Sequence, residues 1–265
     1  MLLLLSPAKT LDYDTPVPAP VRKRATEPAF TAIAAELISL LRRKSPAEVA
    51  ALMDLSDALA TLNVERYGAW TSAHTPLNSK PALLAFAGDV YEGLQAGTLK
   101  TADLAWAQDH VVILSGLYGA LRPLDWLQPY RLEMGTALSN RHGRDLYAWW
   151  GDAVAKYLNE RLADDVARGR RPVVLNLASQ EYSRAALRPA LQAEVVDCQF
   201  EDWHGERYKV ISFFAKRARG LMARYVIERR LRSPNGLQDF VAEGYAFAPA
   251  DSTPERLMFR RRTAG

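Results

Sequence analysis

Cysteine is nearly absent from this sequence: among 265 residues there is one, Cys198. A single cysteine excludes an internal disulfide and leaves too few thiolates for a cysteine-based zinc site or an iron–sulfur cluster. Histidine is scarce too, and its four copies are scattered along the chain at His74, His110, His142 and His204. We therefore predict no metal and no cofactor, and we expect Cys198 to be a structural thiol within a strand.

One short segment, Glu201–His204, does place a glutamate and a histidine three residues apart. That spacing occurs in metal-binding helices, where a second helix must repeat it before a site forms. Here it occurs once and is followed by Gly205, which indicates a hairpin turn between two strands. The segment predicts a surface turn.

Long apolar runs are missing as well. No stretch approaches the roughly 18–20 apolar residues of a membrane helix. The apolar start at 2–5 has no basic segment before it and is too short for a secretion signal. These absences predict a cytoplasmic protein with no membrane partner. With 49% hydrophobic residues and a net charge of +4, the chain has the composition of a folded domain with a sizeable core.

Short apolar runs alternate with helical patterns along the chain, which is typical of an α/β domain. Several runs are apolar throughout, as in strands that are covered on both faces. We predict one domain, residues 1–265, around a mixed β-sheet flanked by helices. The predicted strands are 2–5, 83–86, 111–114, 173–177, 195–200 and 209–214. The predicted helices follow Pro28, begin at Ser45 and Asp145, and span 214–232.

Positive charge is concentrated in one stretch. Lysine and arginine total 34 against 30 acidic residues, yet residues 207–232 hold nine basic residues and one acidic residue. In a helix over 214–232, most apolar residues fall on one side, with Ile227 outside the stripe, and the cations spread over the other. Such a helix suits an anionic partner such as a nucleic-acid backbone, although a solvated surface helix explains the same composition. The phosphate-binding candidates on it are Lys216, Arg217, Arg219 and Arg224.

Polar, turn-rich segments follow three of the predicted strands, at 6–10, 115–119 and 178–182. In open α/β sheets the ligand binds beyond the carboxyl ends of the strands. If these strands are parallel neighbours, their loops line one cleft, where glycines let backbone N–H groups approach an anion. The cleft candidates are Lys9, Ser115, Gly116, Tyr118, Asn176, Ser179 and Tyr182.

A proline-rich loop, residues 121–135, carries Arg122 and Arg131. A rigid loop with two arginines suits bidentate capture of a phosphate or a carboxylate. The same loop holds Asp125 and Glu133, and internal ion pairs with these acids explain it equally well. The sequence leaves both interpretations open.

Residues 47–54 and 57–69 predict two short helices that follow the basic residues 42–44. In a helix–hairpin–helix motif, the connection between two such helices offers backbone N–H groups to a phosphate. The glycines usual in that connection are absent here, so an ordinary helical hairpin is the alternative. We treat this pair as a helical-hairpin insertion.

Six blocks of the sequence resemble, in the same order, the YaaA family of peroxide-stress-resistance proteins. They are SPAKTLDY at 6–13, GDVYEGL at 88–94, SGLYGALRPLD at 115–125, PYRLEMG at 129–135, NLASQEY at 176–182 and ISFFAKRARGLMARY at 211–225. The resemblance implies a cytoplasmic bacterial protein that limits damage by hydrogen peroxide and is associated with low intracellular iron. It also implies an unusual α/β fold that binds DNA through a positively charged cleft and a helix–hairpin–helix-like element. It brings no cofactor and no settled reaction.

Two functions have specific support in these observations, and we expect the first; a third, a protein–protein adaptor whose basic helix meets an acidic partner, has none. In it, the protein binds DNA by backbone and shape and protects it against iron-dependent oxidative damage. The phosphates would be held by Lys9, Arg122 and Arg131 together with the four cations of the basic helix.

In the second, the same cleft is the active site of an enzyme acting on a nucleotide, a nucleobase or damaged nucleic acid. Lys9 or Lys216 would be the nucleophile or base, and Glu133 the proton donor, with Tyr118 beside them. An open basic groove would favour the DNA-binding function, whereas a closed pocket would favour the enzyme.

Overall fold

The computed structural model describes residues 1–262 of the chain. Its strands are β1 (Leu2–Leu5), β2 (Thr10–Leu11), β3 (Lys80–Pro81), β4 (Phe86–Ala87), β5 (Val111–Ser115), β6 (Gly119–Leu121), β7 (Trp126–Leu127), β8 (Val173–Asn176), β9 (Glu194–His204), β10 (Arg207–Lys209), β11 (Ala246–Phe247) and β12 (Arg256–Arg261). Its α-helices are α1 (Ala19–Arg22), α2 (Thr31–Leu41), α3 (Pro46–Met53), α4 (Asp57–Ala69), α5 (Ala82–Ala85), α6 (Asp89–Leu94), α7 (Thr101–His110), α8 (Leu146–Trp150), α9 (Ala153–Ala167), α10 (Gln180–Ala186) and α11 (Ser212–Arg229).

The main sheet is mixed and has eight strands. Its order is β11–β12–β9–β8–β1–β5–β6, and β10 pairs with the end of β9. The five central strands are parallel neighbours, while β6, β10 and β11 pair antiparallel with theirs. Helices flank this sheet, with α7, α9, α10 and α11 among those that contact its strands. The predicted α/β fold around a mixed sheet is confirmed.

Strand β1 lies in the middle of the sheet because its leucines are apolar on both faces. Leu3 pairs with Val111 of β5 and with Leu175 of β8, and all three side chains are fully buried. A strand covered on both faces has no side that meets water. This is why its sequence is continuously apolar instead of alternating.

The order of the strands reverses next to β1. The chain goes from β1 to β5 and β6 on one side, and then places β8, β9 and β12 on the other. In open α/β sheets such a reversal leaves a crevice beyond the carboxyl ends of the two strands that flank it. In this fold the crevice lies beyond β1 and β8.

Two of the predicted strands are wrong. Residues 83–86 belong mainly to the short helix α5, and only Phe86 belongs to β4. Residues 209–214 contain the end of β10 at Lys209 and the beginning of α11 at Ser212. Both segments are short apolar runs, whose periodicity does not separate a strand from a buried helix.

Helix α11 is buried on more sides than its sequence predicts. Ile227, expected to break the apolar stripe, is fully buried, whereas Phe214, expected to pack on the core, is 38% exposed. Helix α11 packs against α6, α7 and β9, and its crossing with α6 is close. A Cβ atom on Gly220 would lie 1.8 Å from the carbonyl oxygen of Val90, and one on Gly93 would lie 2.2 Å from that of Arg217. Glycine at both positions lets the two backbones touch, so α11 is held between α6 and β9.

Two helix starts follow the sequence closely. Ser45 caps α3 in a capping box: its hydroxyl accepts a hydrogen bond from the backbone N–H of Glu48, whose carboxylate accepts one from the backbone N–H of Ser45. Asp145 caps α8 by accepting a hydrogen bond of 2.8 Å from the backbone N–H of Ala148.

Within residues 1–262, no helix combines the length and the apolar character that crossing a membrane requires.

Candidate functional site

A pocket of about 320 Å³ lies in the crevice beyond the carboxyl ends of β1 and β8. The loop after β1 supplies residues 6–10, the segment after β8 supplies Ser179, Glu181 and Tyr182, and helices α6 and α11 supply one wall each. We call this cavity the ligand pocket. Its charged side chains are Lys9, Asp89, Glu133, Glu181, Lys216 and Arg219.

Hydrogen bonds between the two strand-end loops fix the floor of the ligand pocket. The backbone N–H of Ser179 donates to the hydroxyl of Ser6 at 2.8 Å, and the Ser6 hydroxyl donates to that of Ser179 at 3.3 Å. The phenol of Tyr91, on α6, donates to the carbonyl oxygen of Ser6 at 3.0 Å. These bonds join three segments that are far apart in the chain, so the floor is rigid.

The close crossing of α6 and α11 brings two cations to the pocket wall. Lys216 and Arg219 lie one turn apart on α11 and both line the ligand pocket. Gly220, the residue after Arg219, is the point where α11 touches α6. The glycine crossing therefore sets how far these side chains reach into the pocket.

Arg219 differs from the other predicted arginines in having no partner. In the part of the chain that the structure describes, no carboxylate lies within ion-pairing distance of its guanidinium and no group accepts a hydrogen bond from it. The side chain is nevertheless partly buried. Burial lowers the pKa of the guanidinium, against the opposing attraction of the Asp197 carboxylate. A desolvated cation of this kind facing a cavity favours an anionic ligand.

Lys9 and Glu133 face each other across the pocket rim. The Lys9 ammonium lies 2.9 Å from one carboxylate oxygen of Glu133, and Arg131 donates to the other oxygen at 3.0 Å. The Lys9 side chain is 63% exposed, so the pair can open toward a ligand. In this arrangement both carboxylate oxygens of Glu133 accept from cationic side chains, one from Lys9 and the other from Arg131.

Two further carboxylates, Asp89 and Glu181, give the pocket a mixed charge. One oxygen of Glu181 accepts a hydrogen bond of 3.0 Å from the backbone N–H of Gly135. The phenol of Tyr182 is buried beside these groups, and burial raises its pKa, so the side chain is a neutral hydrogen-bonding group. The pocket can bind an anion at its α11 side and hydrogen-bond donors at its acidic side.

The loop after β5, a second predicted contributor, is part of the core instead. The Ser115 hydroxyl and the Tyr130 phenol are hydrogen-bonded at 2.6 Å, and the Tyr118 phenol accepts from the indole N–H of Trp70 at 2.8 Å. Burial raises the pKa of Tyr118. A Cβ atom on Gly116 would lie 2.2 Å from the carbonyl oxygen of Leu132. None of Ser115, Gly116 and Tyr118 lines the ligand pocket.

Asn176 ends β8 and organises the turn that follows. Its side-chain amide donates to a carboxylate oxygen of Asp197 at 2.7 Å, and its carbonyl oxygen accepts from the backbone N–H of Ala178 at 3.0 Å. It lies behind Ser179, which does line the pocket. Asn176 thus shapes the loop without facing the cavity.

Four of the predicted phosphate-binding arginines have partners within the protein. Arg122 pairs with the buried carboxylate of Asp125 at 3.3 Å, and Arg131 pairs with Glu133. Arg217 forms an ion pair with Glu243. Arg224 donates to the carbonyl oxygens of Leu94 and Gln95 at the end of α6. The structure therefore brings together Lys9, Lys216 and Arg219 from the predicted set, but it does not join all seven cations in one groove.

The helical hairpin predicted at 47–54 and 57–69 corresponds to α3 and α4, which pack on each other. Arg42, just before them, donates to the carbonyl oxygens of Tyr67 and Trp70. Its guanidinium closes the base of the hairpin. That this element is a helix–hairpin–helix motif for nucleic acid stays a prediction, as does the basic cleft.

The predictions on metal ligands concern two segments of β9. Among residues 1–262, no group of three or more histidine, cysteine, aspartate and glutamate side chains is arranged to hold a metal ion. His204 ends β9 and pairs with Arg207 of β10 across the turn at Gly205, so the predicted hairpin turn is confirmed. Cys198 is buried within β9, and burial raises the pKa of its thiol, as in a structural cysteine.

Among the polar pocket residues that sequence reasoning missed are Ser6, Asp89 and Glu181. Each lies within a block that carries the family resemblance, at the first or second position of a loop or helix near a strand end. An acidic residue beside a predicted cluster of cations was the available signal. It is weak, because charged residues are common at helix starts.

Comparison with known proteins identifies the chain over nearly all of its length. Residues 1–251 match the family described as peroxide stress protein YaaA. A UPF0246 protein of Leptothrix cholodnii is 64% identical over 264 residues, covering all of both chains. UPF0246 proteins of Variovorax paradoxus and Bordetella pertussis are 59% and 57% identical, the first over 99% and the second over 100% of both chains.

Proposed function

The chain belongs to the YaaA family of peroxide stress proteins, and from that premise we propose that it binds a nucleotide unit in the ligand pocket. The nucleotide is either free or part of a DNA strand. In the second case the protein would be the DNA-binding protective protein that the family resemblance implies. Its target would be a nucleotide turned out of the helix into the pocket.

The observation that carries this proposal is the unpartnered guanidinium of Arg219. Burial of an arginine favours an anion beside it, and the described residues supply none within ion-pairing distance of this half-buried side chain. A phosphate group matches a guanidinium in both charge and geometry. Lys216, one turn away on the same wall, adds a second positive charge for the same phosphate.

The size and the mixed charge of the pocket support a nucleotide over a duplex groove. A cavity of about 320 Å³ can hold one small molecule, and it is too small to admit a double helix. Asp89 and Glu181 would repel a DNA backbone, but they can accept hydrogen bonds from sugar hydroxyls and from the amino groups of a base. Cations on one wall and acids near another therefore match the two ends of a nucleotide.

The test compares two arginines on the same helix. Arg219→Met removes the pocket guanidinium, and Arg217→Met removes the guanidinium that pairs with Glu243 outside the pocket. Binding of a deoxynucleoside monophosphate, of a fully paired DNA hairpin and of the same hairpin with one extrahelical nucleotide is measured by titration. We expect Arg219→Met to weaken binding of the preferred probe at least tenfold, about 1.4 kcal/mol, and Arg217→Met to change it by less than threefold.

The three probes distinguish the two sources of the nucleotide. Preference for the monophosphate identifies a free nucleotide, and preference for the extrahelical hairpin identifies DNA. The salt dependence should be shallow, corresponding to about one or two phosphates, since few cations face the pocket. Equal effects of the two variants, or a steep salt dependence with no preference for the extrahelical nucleotide, would contradict the proposal.

Protection against iron-dependent oxidative damage is the biological part of the proposal. A DNA-bound protein shields the sugars it covers from hydroxyl radicals. In a strand-breakage assay with iron and peroxide, the wild type should protect the hairpin that it binds, and Arg219→Met should not. Equal protection by both proteins would mean that protection does not depend on the ligand pocket.

A second candidate function, catalysis on the bound nucleotide, is supported by the Lys9–Glu133 pair. The two groups lie 2.9 Å apart beside the cavity, within proton-transfer distance. We propose incubating nucleotides and damaged oligonucleotides with the protein, followed by mass spectrometry. A new product that disappears in Glu133→Gln, while binding is retained, would identify an enzyme. Unchanged masses would argue against catalysis on these substrates and leave binding as the proposed function.

A further inference from the structure

A second cavity, of about 480 Å³, adjoins the ligand pocket. Ala87, Gly88 and Tyr91 line both cavities and form the wall between them. We call the second one the apolar cavity. Its walls are mainly hydrophobic side chains, namely Val21, Leu83, Leu84, Phe86, Leu99 and Leu104.

The roof of the apolar cavity is a proline-rich segment, residues 15–20. Pro18 has the backbone angles of an extended chain, with φ −55° and ψ 136°, and each proline ring restricts the backbone around it. Asp12 fixes the start of the roof, because its carboxylate accepts hydrogen bonds from the backbone N–H groups of Asp14 and Thr15. The roof is thus held rigid over the cavity.

One end of the apolar cavity is polar. The Lys80 side chain, 5% exposed, donates to the carbonyl oxygen of Asp12 at 2.7 Å, and its ammonium lies 3.3 Å from the Asp12 carboxylate. An ammonium has three N–H donors. Within residues 1–262 the Lys80 ammonium has two acceptors, the carbonyl oxygen and a carboxylate oxygen of Asp12. Its third N–H group is left for a ligand.

This polar end carries no net charge. Burial alone would raise the pKa of Asp12, but hydrogen bonds from Thr15 and Lys80 lower it to about 2. The carboxylate therefore remains ionised and offsets the charge of Lys80. Among the described lining residues the other charged group is the exposed Glu92, which would repel an anion.

We propose that the apolar cavity binds a neutral, largely apolar small molecule that carries one hydrogen-bond acceptor. Its volume lies in the range of small-molecule sites, and a few polar groups at one end of apolar walls are the usual arrangement in such sites. A charged ligand would lose its hydration without gaining an unpaired counter-ion. The proposal is independent of the nucleotide, because no cation without a partner lines this cavity in the described chain.

The first test uses three naphthalene probes with the full-length protein. Prodan is neutral and has a carbonyl acceptor, 2-dimethylaminonaphthalene lacks that carbonyl, and 8-anilinonaphthalene-1-sulfonate is anionic. We expect saturable binding of prodan with a blue-shifted emission. The probe without the carbonyl should bind about fivefold more weakly, since it makes no hydrogen bond to Lys80, and the sulfonate should bind at least tenfold more weakly. Absence of saturable prodan binding, or a reversed order, would overturn the proposal.

The second test places the probe in the cavity. Leu84→Trp enlarges a half-buried wall residue, and Leu52→Trp makes the same change at a half-buried position on α3 that does not line the cavity. Leu84→Trp should weaken prodan binding at least tenfold, and Leu52→Trp should leave it unchanged. If Leu84→Trp does not fold, Thr101→Trp at the exposed rim replaces it with the same expectation. Equal binding to the filled and control variants, or displacement of prodan by inorganic phosphate, would overturn the proposal.

Discussion

The arginine of helix α11 that faces the ligand pocket, Arg219, and the two arginines of the proline-rich loop 121–135 were predicted alike from the sequence but differ in their partners. In the loop, each arginine pairs with an acid two or three residues away: Arg122 with Asp125 and Arg131 with Glu133. On α11, Arg219 faces the pocket with no such partner in the described chain. The density of arginine therefore does not indicate an anion site. The unpaired arginine does.

The largest expected effect comes from a substitution that forces α11, the helix of Arg219, away from α6. Gly220→Ala would place a Cβ atom 1.8 Å from the carbonyl oxygen of Val90, so α11 and α6 have to separate. We expect a loss of roughly 3 kcal/mol or more of the free energy of unfolding. The matched control is Gly68→Ala in α4, where an added Cβ meets no atom within 4 Å. That change should be neutral or stabilise by about 0.5–1 kcal/mol. Chemical denaturation measures both.

A similar experiment disrupts the buried ion pair of the loop 121–135. The Asp125 carboxylate is buried and accepts hydrogen bonds from Thr26 at 2.5 Å and from the backbone N–H of Arg122 at 2.8 Å. Asp125→Ala leaves these donors unpaired and should cost about 3 kcal/mol of unfolding free energy. The exposed pair of Arg217 and Glu243 is the control, since Glu243→Ala should cost less than about 1 kcal/mol. Similar costs for the two variants would remove the distinction between a structural and a surface pair.

The comparison becomes sharper when one arginine is removed from each region. Arg219→Met should leave the free energy of unfolding unchanged or higher, because it removes a half-buried cation for which residues 1–262 supply no ion-pair partner. Arg122→Met should lower it by about 1–3 kcal/mol, because Asp125 loses its counter-ion. Thermal unfolding of both variants checks the prediction. A destabilised Arg219→Met beside a stable Arg122→Met would reverse the assignment of the two side chains.

The smallest effect concerns acid pH and the roof of the apolar cavity. The pKa of Asp12 is about 2 in the folded protein against 3.8 as its ordinary value. The stability that its charge contributes is therefore complete above about pH 4 and is lost as the pH falls toward 2. After solvent screening this amounts to about 1 kcal/mol. Asp12→Asn should be less stable than the wild type by that amount at pH 6 and equal to it near pH 2. An unchanged difference across this range would contradict the stabilisation of the Asp12 carboxylate by its hydrogen bonds with Thr15 and its pairing with Lys80.

The sequence predicts the centre of the fold better than its periphery. Leu2–Leu5, Val111–Ser115 and Val173–Asn176 are recognisable because buried parallel strands are continuously apolar. The segment at 83–86 and the start of α11 are not, because short apolar runs fit a strand or a buried helix. Ile227 is buried because α11 packs against α6, α7 and β9, and periodicity within one helix contains no information about its neighbours.

The candidate site was predictable to a similar degree. The position of the pocket follows from polar segments after β1 and β8, so Lys9, Ser179 and Tyr182 were found. The sequence does not show that Ser115 and Tyr118 belong to a hydrogen-bond network in the core. A polar loop after a strand has the same sequence pattern whether its hydroxyl groups face a ligand or bond to other core residues. Which arginines are paired depends on the three-dimensional neighbours of each guanidinium, as with Arg217 and Glu243, 26 residues apart.

The central claim, that Arg219 and not the loop arginines meets the ligand, is tested most directly by NMR of the arginine side chains. The Nε–Hε signals of Arg219 and Arg122 are assigned by the Arg219→Met and Arg122→Met variants and followed during titration with a deoxynucleoside monophosphate and with the extrahelical hairpin. We expect the Arg219 signal to shift saturably with the preferred probe while the Arg122 signal stays in place. A shift of Arg122 with no change at Arg219 would contradict the account.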